Sequence, residues 1–224
     1  MPGYTLTIFD CDGVLVDSEP AANRVMVEML GEIGFDITLA DCMTRFVGKS
    51  MKTVQAEVVA EAGAIFPPGW PEAIRARTIE TFQRERIKAI PGIHDVVSAH
   101  RSAGRPYCVA SSGRVEKMQA TLGSSGLLEL FGDLLFSATM VGRGKPAPDL
   151  FLHAAEVMGH PPAACVVVED SLPGVQAGVA AGMRVCAYAA APYVDAAAYR
   201  TLGAEVFTDM GELPGLLRLG APKG

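Results

Sequence analysis

The 224-residue chain is poor in several things that would have pointed elsewhere. No apolar run reaches the roughly 18 to 20 residues that a membrane-spanning helix requires, although mean hydropathy is positive at +0.26. Much of the apolar content is alanine, as over Ala187–Ala198. The five cysteines are odd in number, scattered and without a Cys-x-x-Cys pair, which argues against a disulfide framework or a zinc site and fits a reducing compartment. Cys108, Cys165 and Cys186 sit in apolar runs and are expected to be buried small hydrophobes. Basic residues are outnumbered 19 to 25 by acidic ones, for a net charge of −6. With no basic stripe and no aromatic-rich platform, nucleic acid is a poor candidate partner. There is neither a GxGxxG nor a Walker-type loop to cradle a nucleotide. The N-terminus lacks a basic segment ahead of its first strand-like run, so no signal peptide is expected and a cytoplasmic location is. Nothing in the sequence marks an oligomer; monomer is the default, with a dimer left open.

What is present is a rhythm of short apolar runs followed by turns and helical patterns. Strand-like runs fall at Tyr4–Asp10, Arg105–Ala110, Leu134–Ser137, Ala164–Glu169, Arg184–Tyr188 and Glu205–Thr208, and helical patterns lie between the later ones. Alternation of this kind predicts an α/β fold, a Rossmann-like doubly wound parallel sheet with helices on both faces. Cys165-Val166-Val167-Val168 is continuously apolar, as a strand buried on both faces should be. Residues 18–89 break the rhythm with helical patterns at Glu19–Ile33, Leu39–Phe46, Met51–Ala62 and Trp70–Lys88. This segment reads as a small α-helical cap inserted after the first strand, leaving 1–17 and 90–224 as the core domain.

In an open parallel sheet, ligands bind beyond the carboxyl ends of the strands. The first run ends in Asp10 and Asp12, the second in Ser111-Ser112, and the fourth in Glu169-Asp170. Lys145-Pro146 comes after the third, through Gly142-Arg143-Gly144. Acids, hydroxyls and an ammonium converging on one sheet edge suit an anion held through a metal ion. A carboxylate there can attack phosphorus and divide a slow hydrolysis into two steps through an aspartyl-phosphate. Asp12, two residues from Asp10, is placed on the same strand face to protonate the leaving oxygen and then deprotonate water. Ser111 can donate to a phosphoryl oxygen and Lys145 can neutralise its charge. Mg²⁺ takes oxygen ligands, which Asp10, Asp170 and Glu169 can supply.

These residues resemble four motifs of the haloacid dehalogenase superfamily, in family order. Asp10-Cys11-Asp12-Gly13-Val14-Leu15-Val16-Asp17-Ser18-Glu19 resembles the first, Val109-Ala110-Ser111-Ser112 the second, Gly144-Lys145-Pro146-x-Pro148-Asp149 the third, and Val166-Val167-Val168-Glu169-Asp170-Ser171-x-x-Gly174 the fourth. The insert resembles the helical cap of the subgroup holding β-phosphoglucomutases, phosphoglycolate phosphatases and sugar-phosphate phosphatases. The resemblance implies Mg²⁺, with Asp10, the Asp12 backbone carbonyl, Glu169 and Asp170 as ligands. It also implies a small phosphorylated metabolite as substrate. Dehalogenases lack the second aspartate and phosphonatases carry alanine there, so Asp12 separates this chain from both. Where β-phosphoglucomutases carry a cap histidine and a cap-loop arginine, this chain has Ala22 and Met51. The overall pattern is nearest a sugar-phosphate phosphatase such as the 6-phosphogluconate phosphatases. A phosphosugar mutase is the alternative, and a non-catalytic phosphometabolite-binding protein a further one. In such caps the loop Val47-Gly48-Lys49-Ser50 meets substrate, which makes Gly48 and Lys49, with Ser112 on the core, the candidate substrate-binding residues. Trp70, the cap methionines and the four histidines are expected to be structural or exposed, and the glycines of Gly174–Gly182 to permit helix–sheet packing.

Overall fold

The computed structural model describes residues 4–47, 49–192 and 194–219. Among the described residues eight strands form: β1 (Leu6–Phe9), β2 (Val16–Asp17), β3 (Lys88–Ala89), β4 (Tyr107–Ser111), β5 (Leu135–Ser137), β6 (Cys165–Glu169), β7 (Arg184–Tyr188) and β8 (Glu205–Phe207). Six of them make one sheet in the order β5-β4-β1-β6-β7-β8, with every pairing parallel. The chain runs outward from β1 to one edge and then returns to β1's other side, so strand order reverses beside β1. That is the crevice where a ligand is expected. All residues of β1 and β6 are buried. Strands buried on both faces must be largely apolar, and the exceptions here are Thr7, which bonds His100, and Glu169, which closes β6 at the site.

The chain divides into two compact units, Ser18–Ile87 and the remainder. The described residues of the first form helices α1 (Glu19–Gly31), α2 (Leu39–Phe46), α3 (Met51–Ala62) and α4 (Trp70–Arg84). Their shared core holds Val25, Met29, Leu30, Phe46, Val58, Trp70 and Ile74. Burial of each large side chain contributes about 1.5 to 3 kcal/mol. Ion pairs fix antiparallel registers at the surface. Arg24–Glu85 and Glu32–Arg77 join α1 to the α4 segment, and Arg45–Glu61 with Lys49–Glu57 joins α2 and its following loop to α3. The expected Trp70–Lys88 helix stops at Arg84. Glu85 turns to extended backbone and Lys88–Ala89 pairs antiparallel with Val16–Asp17. The boundary therefore lies two residues earlier than the expected 18–89. A two-residue ladder ties 88–89 to the core, and that pairing replaces helix at the C-terminal end.

The second unit carries α5 (Ile93–Ser102), α6 (Val115–Ser125), α7 (Leu128–Phe131), α8 (Asp149–Val157), α9 (Leu172–Ala180), α10 (Ala196–Thr201) and α11 (Leu213–Leu216) about the sheet. Helix α9 begins at Leu172, because Ser171 caps it by accepting from Gly174 N. Gly178 lets α9 pack closely on the sheet: a Cβ there would stand 2.7 Å from Val185 Cγ2. All five cysteines are buried and free. No described helix is long and apolar enough to cross a membrane.

Candidate active site

Strand β1 ends at Phe9, so Asp10 and Asp12 both lie just beyond it. Asp10 N donates to Val168 O, the last β-type tie before the chain turns. Asp12 sits in an isolated bridge to Val16, within a tight turn that Leu15 N and Val16 N close onto Cys11 O. The two carboxylates thus owe their placement to a turn and not to alternation along a strand. Cys11 points to α6, with Sγ 3.9 Å from Thr121 Oγ1, and burial pushes its thiol well above the ordinary range.

Lys145, buried at the loop before α8, is the hub of the site. Its Nζ donates to Asp10 Oδ1 at 2.6 Å, to Glu169 Oε1 at 2.6 Å and to Ala110 O at 3.0 Å. An ammonium has three N–H donors, so all three are used. The ring of Phe151 lies beneath it, 4.8 Å from Nζ. Burial opposes the charge, but Asp10 and Glu169 outweigh it and hold Lys145 above its usual value. Burial pushes the Asp10 carboxyl up to about 7; Lys145 opposes this, while Glu169 and Asp12 reinforce it as like charges.

Glu169 closes β6 and is fully buried. Its Oε2 accepts from Asp170 N, Ser171 N and Ser171 Oγ, each at 2.9 Å. Gly174 makes this possible, because a Cβ at 174 would fall 1.8 Å from Glu169 Oε1. Its expected packing role is therefore corrected: Gly174 leaves room for the Glu169 carboxylate, and Gly178 is the packing glycine. Carboxylate oxygens of Asp10, Glu169 and Asp170 lie within 4.8 Å of one another. Gly13, at φ +78°, clears the space for Asp170, whose Oδ2 would stand 1.9 Å from a Cβ at 13. Tyr199, from α10, donates its hydroxyl to Asp170 O.

On the neighbouring strand, buried Ser111 Oγ accepts from Gly113 N at 3.0 Å, and Ser112 is exposed. Asp12 Oδ2 accepts from Lys117 Nζ of α6 at 2.8 Å. That partner carries no motif signal, and only the fold brings it within reach. In the helical unit, Lys49 Nζ binds both oxygens of Glu57, at 2.7 and 2.9 Å, so its charge is already matched. Ser50 caps α3, and Gly48 lies outside the described residues.

The donor set suits a hard divalent cation. It offers three carboxylates and no nitrogen or sulfur ligand, with a glycine keeping Asp170's position clear. Asp10 and Asp170 fit best. Glu169 fits least well, because four donors already engage its two oxygens.

Comparison with known proteins bears on this arrangement. A model of the haloacid dehalogenase-like hydrolases matches residues 4–182. The chain is 35% identical over 209 residues to 6-phosphogluconate phosphatase of Escherichia coli, covering 93% of this chain and 92% of that protein. It is 34% identical over 180 residues to hexitol phosphatase A of the same organism, covering 80% and 81%. A solved hydrolase of this kind from Deinococcus radiodurans, with bound phosphate and sodium, superposes with a TM-score of 0.82 at 33% identity, over 97% of this chain and 96% of that one.

Proposed function

The chain belongs to the haloacid dehalogenase-like hydrolases, and on that premise we propose that it is a phosphoric monoester hydrolase releasing phosphate from a small sugar or sugar-acid phosphate through an aspartyl-phosphate on Asp10. The observation that carries the chemistry is the buried array in which Lys145 binds Asp10 and Glu169 together at 2.6 Å each, beside Asp170. The substrate class is supported by the names of the relatives, which act on 6-phosphogluconate and on hexitol phosphates.

The nucleophile is Asp10. Lys145 grips Oδ1, which orients the carboxylate and favours its charged form. An Asp10 oxygen forms a bond to phosphorus as the ester P–O bond breaks, and Asp12 gives its proton to the leaving oxygen. Asp12 then takes a proton from water, whose oxygen attacks phosphorus and expels the Asp10 carboxylate, freeing inorganic phosphate. Ser111, at the end of β4, serves the phosphoryl oxygens as a hydroxyl donor, with Ser112 beside it. The cation is Mg²⁺, which Asp10, Asp170 and the Asp12 carbonyl would hold, with Glu169 behind them. When bound, it supplies positive charge that offsets the charge of the phosphoryl oxygens and of the clustered acids.

Water as the acceptor, in place of a second sugar hydroxyl, is supported by Ala22 and Met51, which stand where mutases carry histidine and arginine. Incubation with 6-phosphogluconate and a panel of sugar phosphates should release phosphate only with Mg²⁺, and Asp10→Asn should abolish release. Turnover surviving in Asp10→Asn overturns the nucleophile. Isomerised glucose 1-phosphate with little free phosphate, in the presence of a trace of bisphosphate, would establish the mutase instead.

A further inference from the structure

Lys117 lies in the first turn of α6, and neither the motifs nor the proposed mechanism uses it. Its Nζ meets Asp12 Oδ2 at 2.8 Å, and the two side chains are 28% and 18% exposed, so the pair is half-buried. The contact passes beside Gly113, which carries no side chain. A Cβ built on Gly113 would lie 3.2 Å from Lys117 Cδ, 3.4 Å from Ser111 Oγ and 4.0 Å from Asp12 Oδ2. The lysine stem, the hydroxyl at the end of β4 and the Asp12 carboxylate therefore converge beside Gly113, where a side chain would crowd the lysine stem. Asp12 sits beyond the end of β1, where strand pleating no longer dictates its side-chain direction. A charged donor on one oxygen constrains it.

We propose that Lys117 is a positioning residue: by holding Oδ2, it turns Asp12 Oδ1 toward the leaving-group oxygen and then toward the attacking water. The inference rests on Asp12 being the acid–base group. An alkyl phosphate needs that group to protonate its poor leaving oxygen. A p-nitrophenolate departs without a proton, so the first step with p-nitrophenyl phosphate is nearly indifferent to how Asp12 is held.

The test compares Lys117→Met, Lys117→Arg, Asp12→Asn and the double variant Asp12→Asn/Lys117→Met on a sugar phosphate and on p-nitrophenyl phosphate. Lys117→Met should lower kcat/KM on the sugar phosphate by roughly 10- to 100-fold, and on the aryl ester by less than about 3-fold. Lys117→Arg should restore most of the loss. In the Asp12→Asn background, Lys117→Met should cost less than about 3-fold more, because two residues acting through one group do not add. Equal losses on both substrates would make Lys117 a cation for the phosphoryl group itself and overturn the proposal, as would additive losses in the double variant. If Asp12→Asn alone leaves sugar-phosphate turnover intact, the acid–base reading of Asp12 fails and the positioning role of Lys117 falls with it; an impaired Asp12→Asn with additive Lys117→Met losses overturns the Lys117 role alone. Should Lys117→Met fold poorly, Lys117→Gln provides the same comparison.

Discussion

Replacing Gly174 with alanine should destabilise the protein, against the ordinary sign of that substitution. Within an open helix, Gly→Ala stabilises by about 1 kcal/mol. At 174, in the first turn of α9, the new methyl carbon would meet Glu169 Oε1 at 1.8 Å, Cδ at 1.9 Å and Oε2 at 2.3 Å. Non-bonded carbon and oxygen atoms need well over 3 Å, so the carboxylate must withdraw by more than about 1 Å. It cannot do so cheaply. Glu169 is fully buried, and its oxygens receive Lys145 Nζ, Asp170 N, Ser171 N and Ser171 Oγ. Hydrogen bonds to a charged group are worth about 1.5 to 3 kcal/mol each. Losing two costs about 3 to 6, and subtracting the helix gain leaves about 2 to 5 kcal/mol of net destabilisation. Urea unfolding followed by circular dichroism measures this, and phosphate release should fall in parallel because Lys145 loses an anchor. Gly123→Ala in α6 is the control. Its nearest neighbour would be Leu128 Cδ2 at an ordinary 3.7 Å, so it should be neutral or stabilising by up to about 1 kcal/mol. A Gly174→Ala protein as stable as the parent would refute the view that this glycine exists for Glu169.

Two further expectations concern groups away from the reacting atoms. His100 is fully buried, with Nδ1 2.9 Å from Val96 O and Nε2 2.9 Å from Thr7 Oγ1. A carbonyl only accepts, so Nδ1 carries the proton and Thr7 donates to Nε2. Burial lowers its pKa from 6.5 to about 4. The unfolded chain therefore binds the extra proton first. Stability from this site is complete above about pH 6.5 and lost as pH falls toward 4, by about 3 kcal/mol at most. Unfolding free energies measured from pH 7 to 4 in the parent and in His100→Gln should differ in slope across that window; equal slopes would show that His100 is not the linked group. Tyr199→Phe removes the hydroxyl that holds Asp170 O. Outer-shell losses of this kind typically weaken metal binding by 10- to 100-fold, so the Mg²⁺ concentration for half-maximal activity should rise by roughly 10-fold. Manganese binding followed by electron paramagnetic resonance should weaken with it, and an unchanged affinity would separate Tyr199 from the acidic cluster.

The local pattern carried a great deal. Continuous apolar runs such as Cys165–Val168 identify strands buried on both faces, because a parallel sheet covered by helices leaves no polar face. Residues following such strands must lie at the sheet's carboxyl edge, which by spacing alone brings Asp10, Ser111, Lys145 and Glu169-Asp170 to one place. Helices at Ile93–Ser102, Leu128–Phe131 and Leu213–Leu216 were not marked by that pattern. Two are four-residue turns, too short to show a period, and the first follows Pro91-Gly92, where turn signals mask it. The pattern places the return to the core after residue 89, whereas the compact unit ends at Ile87, because Lys88–Ala89 is helical by local preference and extended only by pairing with Val16–Asp17.

What the sequence determined by itself is the fold class and the chemical inventory of the site, since both follow from spacing along the chain. Tertiary structure alone decided which charge answers which. Lys145 spends its three donors on Asp10, Glu169 and Ala110; Lys117 reaches Asp12 from 105 residues away; Lys49 pairs with Glu57. Such pairings depend on strand order, on the turn that α6 makes past Gly113 and on the space two glycines leave empty. A one-dimensional pattern records the residue at each position, but an ion pair forms or fails within about an ångström of its partner, and that distance is set by the packed whole.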